Sequence, residues 1–182
     1  MKRKMYDSMC RWKEENGRTA LLIDGARRVG KSYIAQEFGQ NEYKSYILID
    51  FNRAPAEITD LFIHYLNDLD MFFLYLSNFY GVKLYERESL IIFDEVQLFP
   101  KARAAIKYLV EDGRYDYIET GSLMTIKKNV TDIVIPSEER HMKMYPLDFE
   151  EFLWALDNDT LMDFIRLCFD KKKPMGQVLH RK

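Results

Sequence analysis

The sequence predicts an α/β fold in three layers, a parallel sheet covered by helices on both faces. Three observations predict it. Short, nearly unbroken apolar runs recur along the chain, as strands buried on both faces require. Segments of helical period alternate with them, so right-handed crossovers join parallel neighbours. A glycine-bearing turn, Gly25 to Ser32, separates the first apolar run from the helix after it.

The elements follow in order. Met5 to Glu15 reads as an amphipathic helix on the spacing of Met5, Met9 and Trp12, ended by Asn16-Gly17. Thr19–Asp24 is the first buried strand, Gly25 to Gly30 a loop, and Lys31–Phe38 the helix behind it. Ser45–Phe51 is the second strand. Ile58, Leu61, Phe62, Tyr65, Leu66 and Leu69 place one long helical region over 56–80. Glu88–Asp94 is the third strand, with Leu90-Ile91-Ile92-Phe93 at its centre. A helix over 101–111 starts behind Pro100 and closes at Asp112-Gly113. Tyr115–Thr120 is the fourth strand, and Met142–Tyr145 a short fifth. Asp148 opens a helix through Leu156, with Glu151 completing a capping box. Asp157–Phe169 continues as helix.

Composition sets the bounds. The 182 residues are 47% hydrophobic and 14% aromatic, enough for one packed domain with a short appendage. The 27 basic side chains nearly cancel 29 acidic ones, and the net charge of −2 excludes a globally basic nucleic-acid binder. Cys10 and Cys168 form no paired motif, which points to a reducing compartment. The basic start is followed by polar residues, not an apolar secretory core. The most hydrophobic stretch, Leu61 to Leu84, is interrupted by Asp68, Asp70 and Lys83, so no membrane span is expected. These features together predict a cytoplasmic protein.

The segment Gly25-Ala26-Arg27-Arg28-Val29-Gly30-Lys31-Ser32 fits G-x-x-x-x-G-K-[ST] at every fixed position. Glycines let such a loop wrap tightly and turn backbone N–H groups to phosphate oxygens. The helix starting near Lys31 points its positive end at the same anion. Lys31 is expected to reach the β- and γ-phosphates, and the Ser32 hydroxyl to ligate Mg²⁺. Tyr33 closes the set of expected cofactor-binding residues. Four apolar residues then lead into Asp94-Glu95 at a strand's carboxyl end. Asp94 is expected to hold the Mg²⁺ shell, and Glu95 to orient or deprotonate a water. Thr120 or Ser122, at the end of the fourth strand, faces the same crevice and is a candidate for the γ-phosphate or the attacking water.

GARRVGKS, LIIFDEVQ, ETGS, and Arg140 followed by MYPLDFEEFLWAL together resemble the prokaryotic AAA-type ATPases that carry a DUF4143 domain. The resemblance runs from about Met1 to Phe169. It implies a P-loop NTPase sandwich with a five-stranded sheet in AAA+ order 5-1-4-3-2. It also implies Walker A at Lys31 and Ser32, Walker B at Asp94 and Glu95, and sensor 1 at Thr120–Ser122. Arg140 is the candidate sensor or finger arginine; a surface arginine in a charged run is the alternative, and family members often have Gly where Glu139 stands. The implied organisation is an N-terminal helix (1–17), an ATP-binding domain (18–156), and a terminal helix opening a linker (157–182) to a further domain. The chain is then a short gene product or a truncated one.

The expected function is ATP binding, with Mg²⁺-dependent hydrolysis leading. The alternative is a nucleotide-gated switch with little turnover, acting through a further domain on nucleic acid or protein. A small-molecule kinase is disfavoured because Arg103, Arg114 and Arg140 are too scattered for a lid. Self-association is an open expectation. His64, His141 and His180 lack metal-ligand spacing. The aromatic run Phe72 to Tyr80 is read as core, and Lys2, Arg3 and Lys4 as a solvated helix start.

Overall fold

The structure is a computed structural model that describes residues 2–15, 18–122 and 138–176. The chain divides into two compact units, residues 5–145 and residues 1–4 with 146–182.

In the larger unit the elements run α1 (Lys4–Lys13), β1 (Ala20–Gly25), α2 (Lys31–Glu42), β2 (Ser45–Asp50), α3 (Ala56–His64), α4 (Leu69–Tyr80), β3 (Ser89–Asp94), a 3₁₀ turn (Val96–Leu98), α5 (Pro100–Asp112), β4 (Asp116–Gly121) and β5 (Glu139–Met144). All five strands are parallel, in the order β2-β3-β4-β1-β5. This is the expected order read from the other edge. β1, β3 and β4 are buried along their whole length; β1 and β3 therefore read as apolar runs rather than alternating ones, while β4 buries Asp116, Glu119 and Thr120 among its apolar residues.

Side chains alternate across the sheet and build two cores. On one face Leu22, Ile47, Ile49, Ile91, Phe93 and Tyr117 meet α3, α4 and α5. On the other, Leu21, Ile23, Leu90, Ile92 and Ile118 meet α1 and α2. Phe62 packs edge-on against Phe72 and Phe93, so much of the aromatic content is core. Phe72 and Phe73 are buried as expected, whereas Phe79 lies half exposed. Among the described residues no helix is long and apolar enough to cross a membrane.

Several boundaries differ from the sequence reading: α2, for one, runs on to Glu42 rather than ending at Phe38. The helical region over 56–80 is two helices. The Asp68 carboxylate accepts a hydrogen bond from the Met71 N–H at 3.1 Å and starts α4 afresh; a local side-chain cap here outcompetes helix continuation. The fifth strand begins at Glu139, three residues before the expected start. Its six residues pair with β1 from Ala20↔Glu139 to Gly25↔Met144. Glu-Arg-His at its start hides it, because an edge strand is held by backbone pairing and needs no apolar run.

The smaller unit holds α6 (Phe149–Ala155) and α7 (Asp159–Asp170). The capping box forms: Asp148 Oδ1 accepts from the Glu151 N–H at 2.8 Å, and Glu151 Oε2 accepts from the Asp148 N–H at 3.1 Å. Arg3 Nε reaches Glu151 Oε1 at 3.1 Å. Lys4 Nζ reaches Asp148 and Glu150 at 2.6 and 2.8 Å. Arg3 is buried and therefore not the solvated charge expected of a helix start, whereas Lys4 stays about half exposed while it pairs with the acids at the start of α6. Helix does not continue from Asp157, which adopts φ 55° and separates α6 from α7. Gln177 to Lys182, read as the basic end of a linker, lie outside the described residues.

Candidate functional site

The loop between β1 and α2 is shaped by two glycines. A Cβ on Gly25 would overlap the Met144 carbonyl oxygen of β5, so only glycine allows the two strands this approach. Gly30 precedes α2 in the left-handed region, φ 99° and ψ 21°, where a Cβ is costly. Arg28 is also left-handed at φ 64°. The first N–H groups of α2 have no partners within the helix, so the loop delivers a cluster of donors. Lys31 is only 5% exposed. Its ammonium donates to the Ala26 carbonyl at 2.8 Å and the Gly25 carbonyl at 3.2 Å, folded back over the loop.

The parallel sheet brings the second group of residues to the same end. Ser32 Oγ, in the first turn of α2, donates to Asp94 Oδ1 at 2.7 Å. Thr120, buried near the end of β4, donates to the same oxygen. The Glu95 N–H in turn donates to Thr120 Oγ1 at 3.3 Å. Asp94 is 8% exposed, so one buried carboxylate oxygen gathers two hydroxyls from two different elements. Glu95 sits in the left-handed region at φ 54°, which turns the chain sharply after β3. Its Oε2 accepts from Gln97 Nε2.

Of the residues singled out by sequence, Gly25 to Gly30, Lys31, Ser32, Asp94, Glu95 and Thr120 converge. Tyr33 is half exposed and donates to Glu37 at 3.3 Å, away from this cluster; the Glu37 charge raises its phenol pKa above the ordinary value. Ser122 lies just past β4 and makes no hydrogen bond to Ser32, Asp94 or Thr120. Arg140 pairs with Glu15. It stands in register with Leu21, four residues before Gly25, so roughly 13 Å along the strand separates it from the loop.

Sequence reading missed Gln97, the partner of Glu95, although Gln97 lies two residues on in the same motif. It also missed Glu119, which is fully buried on the other face of β4. Burial and Glu139, whose negative charge lies close, push its carboxyl well above the usual carboxylate range, against the pull of Arg103. Glu119 carries no sequence signal, since ETGS reads as a polar strand end.

A glycine-bearing loop running from β1 into α2, under a five-stranded parallel sheet in this order, defines the class as a P-loop NTPase fold of the AAA+ type. The chain belongs to the AAA domain family, which it matches over residues 17–153, and is a nucleotide-binding AAA module. An uncharacterized protein of Methanocaldococcus jannaschii is 24% identical over 146 residues, which cover 80% of this chain and 30% of that protein. The chain thus spans less than a third of that relative. Among solved structures, a DNA replication initiation factor aligns with TM-score 0.45 at 12% identity, over 87% of this chain and 50% of that one. A chain of the Drosophila ORC bound to AT-rich DNA and Cdc6 aligns with TM-score 0.44 at 14% identity, over 92% and 63%. Caenorhabditis elegans PCH-2 aligns with TM-score 0.39 at 12% identity, over 90% and 44%.

Proposed function

We propose that the module binds ATP with Mg²⁺ and hydrolyses it. The observation that carries this reading is the convergence of Ser32 and Thr120 on Asp94 Oδ1, beside the loop that holds Lys31. Serine hydroxyl and carboxylate are hard oxygen donors, the kind that suits Mg²⁺. Ser32 and Asp94 would hold the ion, which when bound neutralises phosphate charge.

Backbone N–H groups from Gly25 to Ser32 cradle the phosphates, with the start of α2 adding its dipole. Lys31 exchanges the Gly25 and Ala26 carbonyls for phosphate oxygens, a trade of neutral acceptors for charged ones. Glu95, held by Gln97, orients the attacking water and takes its proton. Thr120 ties Glu95's backbone to Asp94, so the base and the ion-holding carboxylate move together. Ser122, at the open end of β4, is the further candidate for the γ-phosphate. Tyr33 stays at the margin of the loop. The functional unit on this reading is residues 18–156, with 1–17 and 157–182 flanking it, in the cytoplasm.

A second reading rests on Arg140, which is engaged by Glu15 and lies far along β5 from the loop. A module whose arginine serves a neighbouring copy turns over slowly alone and acts as a nucleotide-gated switch. Calorimetry with ATP, ADP and GTP, with and without Mg²⁺, tests binding; absence of Mg²⁺-dependent ATP binding refutes both readings. Phosphate release per chain that rises with protein concentration favours the switch.

A further inference from the structure

Glu119 occupies an unusual position for an acid. It is completely buried in a central strand, with Leu22 of β1 and Phe93 of β3 in register on either side. Among the described residues, neither of its carboxyl oxygens receives a hydrogen bond from an N–H or O–H donor. What faces it is a second buried acid, Glu139, the first residue of β5. Glu139 is already matched in charge: Arg103 of α5 grips it with two bonds, Nε to Oε1 and Nη2 to Oε2, both 2.8 Å. His141, on the outer side, lies 3.3 Å from Glu139 Oε2. β1 separates β4 from β5 and presents a small residue, Ala20, in register with Glu139, which leaves room for the two carboxyl groups to approach over it.

The charge count decides the protonation state. One guanidinium balances one carboxylate, and a second buried carboxylate would stand uncompensated, which is prohibitively costly. Glu119 therefore keeps its proton and can donate it to Glu139. The cluster is then neutral and complete: Arg103 to Glu139 to Glu119, from α5 through β5 to β4. The residue after Glu119 is Thr120, whose hydroxyl bonds Asp94.

We propose that Glu119 is a positioning residue for the nucleotide site: protonated, it locks β4 to the Arg103–Glu139 pair and holds Thr120 on Asp94, and loss of that proton releases Thr120 and weakens nucleotide binding. The proposal rests on the site reading above and adds a proton-linked control to it. Ionising Glu119 places two like charges side by side in the core, with only Arg103 to share. The strand end moves to relieve the repulsion, and Thr120 moves with it.

The test follows the neutral carboxyl itself. Infrared spectra of the full chain should show a protonated carboxylic acid carbonyl band at neutral pH that Glu119→Gln removes. Raising the pH should abolish the band in the wild-type chain, and ATP affinity should fall over the same interval by up to about tenfold per pH unit, the slope for one proton. Glu119→Gln, which cannot ionise, should hold its affinity flat across that interval. His141→Gln should keep the wild-type profile, separating the carboxyl from the imidazole. A missing band, or an affinity that ignores its loss, overturns the proposal, as does a Glu119→Gln profile like the wild type's. If that variant does not fold, the wild-type band and affinity still decide the matter. A chain that binds no ATP at any pH refutes the site reading instead, and its melting temperature against pH then decides whether Glu119 locks β4.

Discussion

Ser32 Oγ lies 2.7 Å from Asp94 Oδ1, so the first turn of α2 and the end of β3 are joined through one buried carboxylate oxygen. The same oxygen takes the Thr120 hydroxyl. Replacing Asp94 by Ala should therefore do two things. It leaves two hydroxyls without their acceptor, a cost of about 1–3 kcal/mol for a buried polar group. It also removes the charged member of the oxygen set. Calorimetry should show the Mg²⁺-dependent part of ATP binding lost, while thermal melting reports the lower stability. Equal ATP binding with and without Mg²⁺ in the wild type would remove the carboxylate's assigned role.

Glu95 lies beside this cluster, not inside it. It reaches the cluster through its own N–H to Thr120 and through Gln97 at its carboxylate. Glu95→Gln should lower turnover by about 100-fold or more, the range for a positioned general base. ATP affinity should stay within a few-fold. Gln97→Ala should give a smaller loss of turnover, because the base remains but swings. Phosphate-release rates alongside calorimetric affinities separate these outcomes, and undiminished turnover in Glu95→Gln would assign the water to another residue.

The sheet and loop were legible because burial on both faces writes apolar runs, and because phosphate chemistry demands glycines and a lysine at fixed offsets. Leu90 to Phe93 announces β3 and, by ending in Asp94, the site. The Asp68 cap that splits α3 from α4 was less legible, since Leu66 and Leu69 keep helical spacing across the break. β5 was half hidden because Glu139 is buried by Arg103, which comes from a helix 36 residues earlier; no local pattern signals a partner that distant. Arg140 is legible by type alone: its place four residues along the strand from the loop is set by pairing with β1, which no local pattern announces.

Gly25 offers a test of how the loop is built. Its neighbour is the Met144 carbonyl, a backbone atom that cannot rotate aside. Gly25→Ala must push β5 from β1 or displace the loop. Overpacking of this kind costs about 1–3 kcal/mol, and at this chain length each kcal/mol lowers the melting temperature by roughly 2–4 °C. ATP affinity should fall too, because the displaced residue opens the loop whose backbone N–H groups are proposed to cradle the phosphates. Gly81→Ala is the control. Gly81 is also left-handed, at φ 62°, but nothing lies within 4 Å of where its Cβ would be, so it should lose stability and keep affinity.

The start of α6 should respond to acid in a defined direction. Asp148 is held below its ordinary pKa, first by the Glu151 backbone N–H and then by Lys4. A depressed folded pKa means the anion supports the folded state. That support is complete above the unfolded carboxylate value and is lost as pH falls through the lower folded one. Asp148→Ala removes the cap at every pH and should cost about 1 kcal/mol. Asp148→Asn keeps a capping oxygen and loses only the titration. The Lys4 contact adds little, because both side chains are about half exposed and such pairs are worth well under 1 kcal/mol. Amide exchange at Glu151, whose N–H the cap receives, should accelerate in Asp148→Ala. In the wild type its protection should drop on acidification, and in Asp148→Asn it should stay level; a wild-type amide indifferent to acid would show that charge plays no part in this cap.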